Sequence, residues 1–316
     1  MTPTNSTAGS SGASGWTLHS WCEAVRRARR APYRIFVVMH LFAGKPREGD
    51  IGEVLNSLAM YASLPLLFLA ADLAFDEEWD LGNPQTFSRL YDLCRCGLVD
   101  VIFGGPPCAT VAKVRHRPIP GGPRPLRWRS EPWRRKDLTP AEQRRVEYAN
   151  TLWINFFSLA DAVVEAGGAY GLEHPEDPRV EPFPSIFVLP ELHTLEQKAS
   201  ATRACFDQGV FGAPTVKPTE VSGNLDGLDE AQGRRVHKGV KRDSNTQNCG
   251  RTLQGGFHTT KMACYPSGLN RFFAECIFKT LLRYSTSNSG PTGPLTDHDK
   301  ILKKHAVELQ RQLRQS

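Results

Sequence analysis

The chain has 316 residues, 40% of them hydrophobic, and a mean hydropathy of −0.38, enough to bury one large α/β core or two modest ones. No apolar run approaches the roughly eighteen residues that a bilayer span needs, so no membrane partner is expected. The formal net charge of +6 and a pI near 8.9 exclude no partner class but favour polyanions.

Residues 1–15 are rich in Ser, Thr, Gly and Ala and lack an apolar core. They are expected to be disordered and carry no secretory signal. The eight cysteines are scattered without a CxxC pair, which predicts reduced thiols in an intracellular protein, nuclear if the source is eukaryotic, and no metal site. Residues 16–30 alternate apolar and basic side chains and end in Arg26, Arg27, Arg29 and Arg30. They read as an amphipathic helix within a separate N-terminal unit, 16–32. That helix either caps the domain or reaches a phosphate.

Residues 33–42 are the first strand, followed by a turn holding Gly44 and Gly49 and a helix from about 51 to 62. Strand, glycine turn and helix open a nucleotide-type α/β unit. The glycines match neither the dinucleotide fingerprint nor the P-loop. Residues 64–71 form the second strand and stop at Asp72, where a carboxylate can accept from ribose hydroxyls. Asp80, in the next loop, either meets an adenine amino group or sits in water.

Residues 99–103 (VDVIF) predict a buried strand of a parallel sheet. Gly104 and Gly105 then let the backbone turn sharply or pass close to a ligand, and Pro106 and Pro107 stiffen the exit, presenting Cys108 at the strand's carboxyl end, where open α/β sheets hold their ligands. That thiol is read as either a nucleophile or a packing group. From Lys113 to Lys136 nine basic residues face one acid, Glu131, with Trp128 and Trp133 among them. The segment predicts a nucleic-acid contact through Arg115, Arg127, Arg129, Arg134 and Arg135, on a loop that is mobile until it closes over its ligand.

A long helix is expected over 138–167, with Thr139 as cap, Pro140 in the first turn and Glu142 completing a capping box. Residues 169–172 are a strand ending at Glu173, which is either a solvated loop acid or a buried carboxylate whose raised pKa would let it share a proton with a substrate ring, the reading that Cys108 alongside favours. His174 is expected to hydrogen-bond locally. Two short strands follow within 201–224, then a polar excursion to 256, a helix to about 283, and a Ser/Gly/Pro linker with a polar terminal helix over 285–316.

These landmarks together resemble the DNA cytosine-5 methyltransferase family, in its short phage-like or mobile-element-associated form. His40-Leu-Phe42-Ala43-Gly44 resembles the family's S-adenosyl-L-methionine (AdoMet) motif. Gly105-Pro106-Pro107-Cys108 resembles its Pro-Cys motif, and Glu173-His174-Pro175 its Glu-Asn motif. Phe211-Gly212, Lys217-Pro218-Thr219 and Tyr265-Pro266 are similar to the later part of such enzymes. The resemblance spans about 34–282 and rests on motif order and spacing.

It implies a Rossmann-like AdoMet-dependent methyltransferase sheet with helices on both faces over 33–284, a basic catalytic loop and a small target-recognition region. It implies AdoMet at Phe42, Ala43, Gly44, Asp72, Asp80 and Pro106, and catalysis by Cys108 with Glu173 at N3 of cytosine. DNA is the favoured nucleic acid. Three departures stand out: Ala109 replaces the Gln after the cysteine, His174 replaces Asn, and no Gln-x-Arg-x-Arg segment is visible. They leave open a catalytically inactive methyltransferase fold that binds nucleic acid, and an unrelated AdoMet enzyme in which Cys108 is structural.

Overall fold

Four apolar, β-rich runs become parallel strands because a strand buried on both faces needs no polar alternation. In a computed structural model that describes residues 16–73, 76–116, 123–236 and 264–287, these are β1 (Phe36–Leu41), β2 (Leu66–Ala71), β3 (Val101–Gly104) and β4 (Ala169–Pro175). The expected hairpin supplies β5 (Thr202–Asp207) and β6 (Pro218–Gly223). The six form one mixed sheet in the order β2-β1-β3-β4-β6-β5, with β6 antiparallel to both β4 and β5. Residues 1–15, 117–122, most of the proposed target-recognition region (237–256) and the terminal helix lie outside the described residues.

Side chains alternate across this sheet. Val37, Met39, Leu41, Ile102, Tyr170 and Leu172 pack under α1 (Leu18–Ala28), α3 (Pro84–Arg95), α4 (Pro140–Glu165) and α5 (Pro190–Ala199). Phe36, Val38, Val101, Phe103 and Ala169 face α2 (Ile51–Tyr61) and α6 (Ser267–Thr286). The layers are helix, mixed sheet and helix, an α/β architecture, and no described helix is long and apolar enough to cross a membrane.

The N-terminal helix is integral to this packing. Trp21 and Val25 of α1 are fully buried, and Thr17 closes a capping box with Ser20. Of its basic end only Arg29 turns inward, while Arg26, Arg27 and Arg30 are exposed: Arg29 and, beyond the helix, Arg34 reach the buried carboxylate of Asp100 at 2.9 and 3.0 Å, and Val37 N donates to the same group at 2.7 Å. Arg29 therefore closes the floor of the sheet, at the edge opposite the strands' carboxyl ends. Helix α4 begins as expected, with Thr139 and Glu142 capping each other and Pro140 at the first position.

Register fixes what stands at the upper edge. Leu41 pairs with Ala71 and with Gly104, and Gly104 pairs with Leu172. The next residues along, Phe42, Asp72, Gly105 and Glu173, consequently stand in one row. Chain order also reverses between β1 and β3, since β2 lies on one side of β1 and β3 on the other. The crevice at such a reversal is where open sheets bind ligands.

Candidate active site

The row divides into two halves, and the half at β3 and β4 carries the thiol. Beyond Gly104 the chain passes Gly105 and the buried Pro106 to reach Cys108, which is half-buried. The loop is tied down from behind. Trp153 Nε1 on α4 donates to the carbonyl of Pro107 at 3.1 Å, and the carbonyl of Cys108 accepts from Val111 N and Ala112 N, both at 3.0 Å.

Gly105 is required for a close approach. A Cβ there would fall 2.4 Å from Tyr265 Oη and 3.0 Å from Glu173 Oε2, so the Cys108 loop and the carboxylate touch through the one residue without a side chain.

Glu173 is buried at the end of β4. Its Oε2 accepts from Tyr265 Oη at 2.9 Å and its Oε1 from Gln208 Nε2 at 3.3 Å. Burial pushes its pKa above the ordinary carboxylate value, against the charge of Lys217 and the hydrogen bonds it receives. The Cys108 thiol is pushed up too, first by burial and then by the negative charge of Glu173, while Lys217 pulls it back. The two groups therefore feel one another and a common cation. That cation is Lys217, in the hairpin between β5 and β6. Lys217 takes a left-handed backbone (φ 37°), a strained conformation for a residue with a Cβ, and its Nζ lies 5.9 Å from the ring centre of Tyr265.

The other half of the row gathers the proposed cofactor residues. Asp72 Oδ2 accepts from Gly44 N at 2.8 Å, and Ala43 N donates to the carbonyl of Ala71 at 3.3 Å. Phe42 is left-handed (φ 57°), with its ring 6.3 Å from that of Phe156. Asp80 Oδ1 accepts from Gly82 N at 2.8 Å and from Tyr148 Oη at 2.6 Å. Tyr148, from α4, is 40% exposed, so an aromatic face stands over this pair of acids. Its phenol is pushed up by burial first and then by Asp80 and Asp72. Phe42, Ala43, Gly44 and Asp72 thus gather at the edge of β1 and β2, Asp80 is joined to them through Tyr148, and Pro106 is buried in the Cys108 loop.

The basic loop differs from expectation. Arg127 is fully buried and cannot meet a phosphate. Its guanidinium donates to Thr110 Oγ1 (3.1 Å), the carbonyls of Pro132 (2.8 Å), Trp133 (2.6 Å) and Val146 (3.3 Å), and Asn150 Oδ1 (2.7 Å). It also lies 4.2 Å from the Trp153 ring centre. Burial lowers its pKa to about 9, so it stays charged at neutral pH. Arg127 is a rivet joining the Cys108 loop, the basic segment and α4.

Arg129 pairs with both carboxylate oxygens of Asp177, Arg135 with Asp137 (2.6 Å), and Arg115 donates to the carbonyls of Ala109 and Arg124. Of the five candidates, Arg134 is the most exposed, with a 3.4 Å contact to Glu147. In the described parts of the segment, 113–116 and 123–136, Leu126 and Arg127 are buried in the domain while Arg134 and Lys136 stay exposed.

His174 is also corrected. It is buried between the rings of Trp153 (6.1 Å) and Phe187 (6.4 Å), and neither ring nitrogen has a partner among the described residues. Burial, reinforced by the charge of Arg127, lowers its pKa to about 3. No group of three or more His, Cys, Asp or Glu among the described residues is placed to hold a metal ion, and the seven described cysteines are all free.

Sequence reasoning assigned no role to Tyr265, Lys217, Gln208 or Tyr148. The first two stood inside motifs quoted for the resemblance; nothing near Gln208 or Tyr148 marks either. A scan of protein-family models finds no match to the chain, and a search of curated proteins finds none either.

Proposed function

We propose that the chain transfers a methyl group from AdoMet to C5 of cytosine in DNA through a covalent bond between Cys108 and the base. One observation carries this reading: a buried carboxyl at the end of β4, its pKa raised by burial, meets the thiol-bearing loop at the end of β3 across a glycine that has no room for a side chain.

The chemistry follows from what those groups can do. As a thiolate, Cys108 adds to C6 of the pyrimidine, and the proton on Glu173 passes to N3, so the electron pair released into the ring accumulates at C5. AdoMet, when bound, supplies an electrophilic methyl on a sulfonium. Loss of the C5 proton to a base then re-forms the ring double bond and expels the thiolate, and N3 returns its proton to Glu173. Lys217 favours the thiolate by its charge.

The crevice lining suits an adenosyl group: two carboxylates for ribose hydroxyls and an amino group, the exposed Tyr148 face for a purine, and open backbone at Gly44, where the nearest side-chain atom to a Cβ would be 3.9 Å away. For nucleic acid, Arg134 and Lys136 line a cavity of about 500 Å³ with Trp133 and Gln143, a basic and aromatic lining suited to phosphate and base.

The test is transfer of a tritiated methyl group from AdoMet to DNA, with RNA offered in parallel. Wild type is expected to label DNA, and both Cys108→Ala and Glu173→Ala to abolish labelling while remaining folded. Labelling that survives Cys108→Ala would overturn the covalent route, and a wild type that labels nothing would overturn the reading.

A further inference from the structure

Gln208 opens the 3-10 turn after β5, and its side chain is fully buried. Its Nε2 donates to Thr219 Oγ1 at 3.0 Å and to Glu173 Oε1 at 3.3 Å. Thr219 fixes which end of the amide faces which way. Its hydroxyl has one proton and donates it to the carbonyl of Lys217 at 3.1 Å, so towards Gln208 it can only accept. The amide nitrogen accordingly faces Thr219 and Glu173 as placed. That leaves the carbonyl Oε1, on the same carbon, as a buried acceptor with no partner among the described residues. Buried amide oxygens are seldom left unpaired, because they have surrendered water without replacement.

The cluster therefore holds two complementary groups joined through one amide: the carboxyl of Glu173 and the unpaired carbonyl of Gln208. A pyrimidine with a ring nitrogen that accepts and a neighbouring amino group that donates matches this pair. Cytosine has that edge; uracil and thymine place a donor and an oxo acceptor at the same positions. Both Glu173 oxygens already receive donors, from Tyr265 and from Gln208, so Gln208 Oε1 is the acceptor still without a donor.

We propose that Gln208 is the specificity-determining residue of this site, its Oε1 accepting from the 4-amino group of the target cytosine. The inference rests on reading the Cys108–Glu173 pair as a cytosine site, and it names the residue that selects the base. Gln208 has no bond to the thiol; its amide nitrogen supports the Glu173 carboxyl and its carbonyl reads one exocyclic group.

A DNA that the full chain methylates is resynthesised with 2-pyrimidinone, the same ring without its 4-amino group, at the target position. Methyl transfer to the two DNAs is then compared as a ratio of kcat/KM. Wild type is expected to prefer cytosine by about 10- to 100-fold, the worth of one buried hydrogen bond. Gln208→Met, which keeps the length and removes the acceptor, is expected to bring the ratio within about twofold of unity, with AdoMet affinity unchanged. A folded Gln208→Met that keeps the wild-type preference overturns the inference and leaves the cytosine reading standing. If Gln208→Met fails to fold, Gln208→Asn, which withdraws the amide by one methylene, carries the same expectation and the same refutation. A wild type that methylates no DNA defeats the site's reading and this inference together.

Discussion

Arg127→Leu separates a structural guanidinium from a phosphate contact. The substitution strips hydrogen bonds from five acceptors. Two of these keep other partners: Val146 O lies within α4, and Trp133 O still receives Asn150 Nδ2 at 3.2 Å. Three are left without their donor, namely Pro132 O, Thr110 Oγ1 and Asn150 Oδ1. At about 1–3 kcal/mol for each buried unsatisfied group, with part recovered because no cation needs desolvation, the net loss is about 3–5 kcal/mol. Arg127→Lys should recover only part of it, since one ammonium cannot reach acceptors spread around a planar fork.

The assay is urea unfolding, read as a fall in midpoint at unchanged slope. In parallel, the salt dependence of nucleic-acid binding is measured below the unfolding range. The slope should not change, whereas losing a phosphate contact would reduce it by about 0.7–0.9. Unchanged stability with a reduced salt slope would refute the rivet and restore Arg127 to the ligand surface.

Other outcomes follow from the same geometry. Gly105→Ala should push Tyr265 off Glu173, at a cost of about 1–3 kcal/mol for overpacking, and abolish methyl transfer; a fully active variant would show that the contact is not needed. Asp72→Ala should weaken AdoMet binding by about 1–3 kcal/mol in calorimetric titration, and unchanged affinity would move the cofactor elsewhere.

Stability should also depend on pH in two windows. Glu173 has a raised folded pKa, so the folded chain holds a proton that the unfolded chain releases, and stability falls as pH rises upward from the ordinary value of 4.5. Glu173→Gln should flatten that slope, and an unchanged slope would count against a proton-holding carboxyl. His174 has a folded pKa lowered to about 3 from 6.5, so the unfolded chain takes up the extra proton and stability falls as pH drops through that interval. His174→Phe should remove that dependence if the ring is buried and neutral as placed; an unaltered acid limb would refute this.

The row at the sheet's carboxyl edge was legible because its signals are local. Apolar runs define the strands, and Asp72 and Glu173 each interrupt one at the point where parallel strands meet solvent or ligand. The basic segment was misjudged because its charge was summed from 113 to 136. Asp137 and Glu142, which take Arg135 and Arg124, stand just beyond that window, and Asp177, which takes Arg129, is 48 residues on. Arg127 was harder still, because carbonyls and amide oxygens neutralise nothing and leave no trace in a charge count. The sequence marks Gly105 as suited to a turn or a close approach to a ligand, but its space is filled by Glu173 and Tyr265, and Tyr265 lies 92 residues beyond Glu173 in the chain. Tyr265 and Gln208 reach the carboxylate only through tertiary packing, which no local pattern announces.

The most direct measurement is intact mass after incubating the chain with AdoMet and DNA carrying 5-fluorocytosine. Fluorine at C5 cannot leave as a proton does, so elimination of the thiolate is blocked once C6 has been attacked and C5 methylated. The account expects a stable adduct with the mass of one DNA strand plus a methyl group, mapped by proteolysis to Cys108 and absent in Cys108→Ala. A chain that methylates ordinary DNA yet forms no adduct, or forms one at another residue, would contradict it.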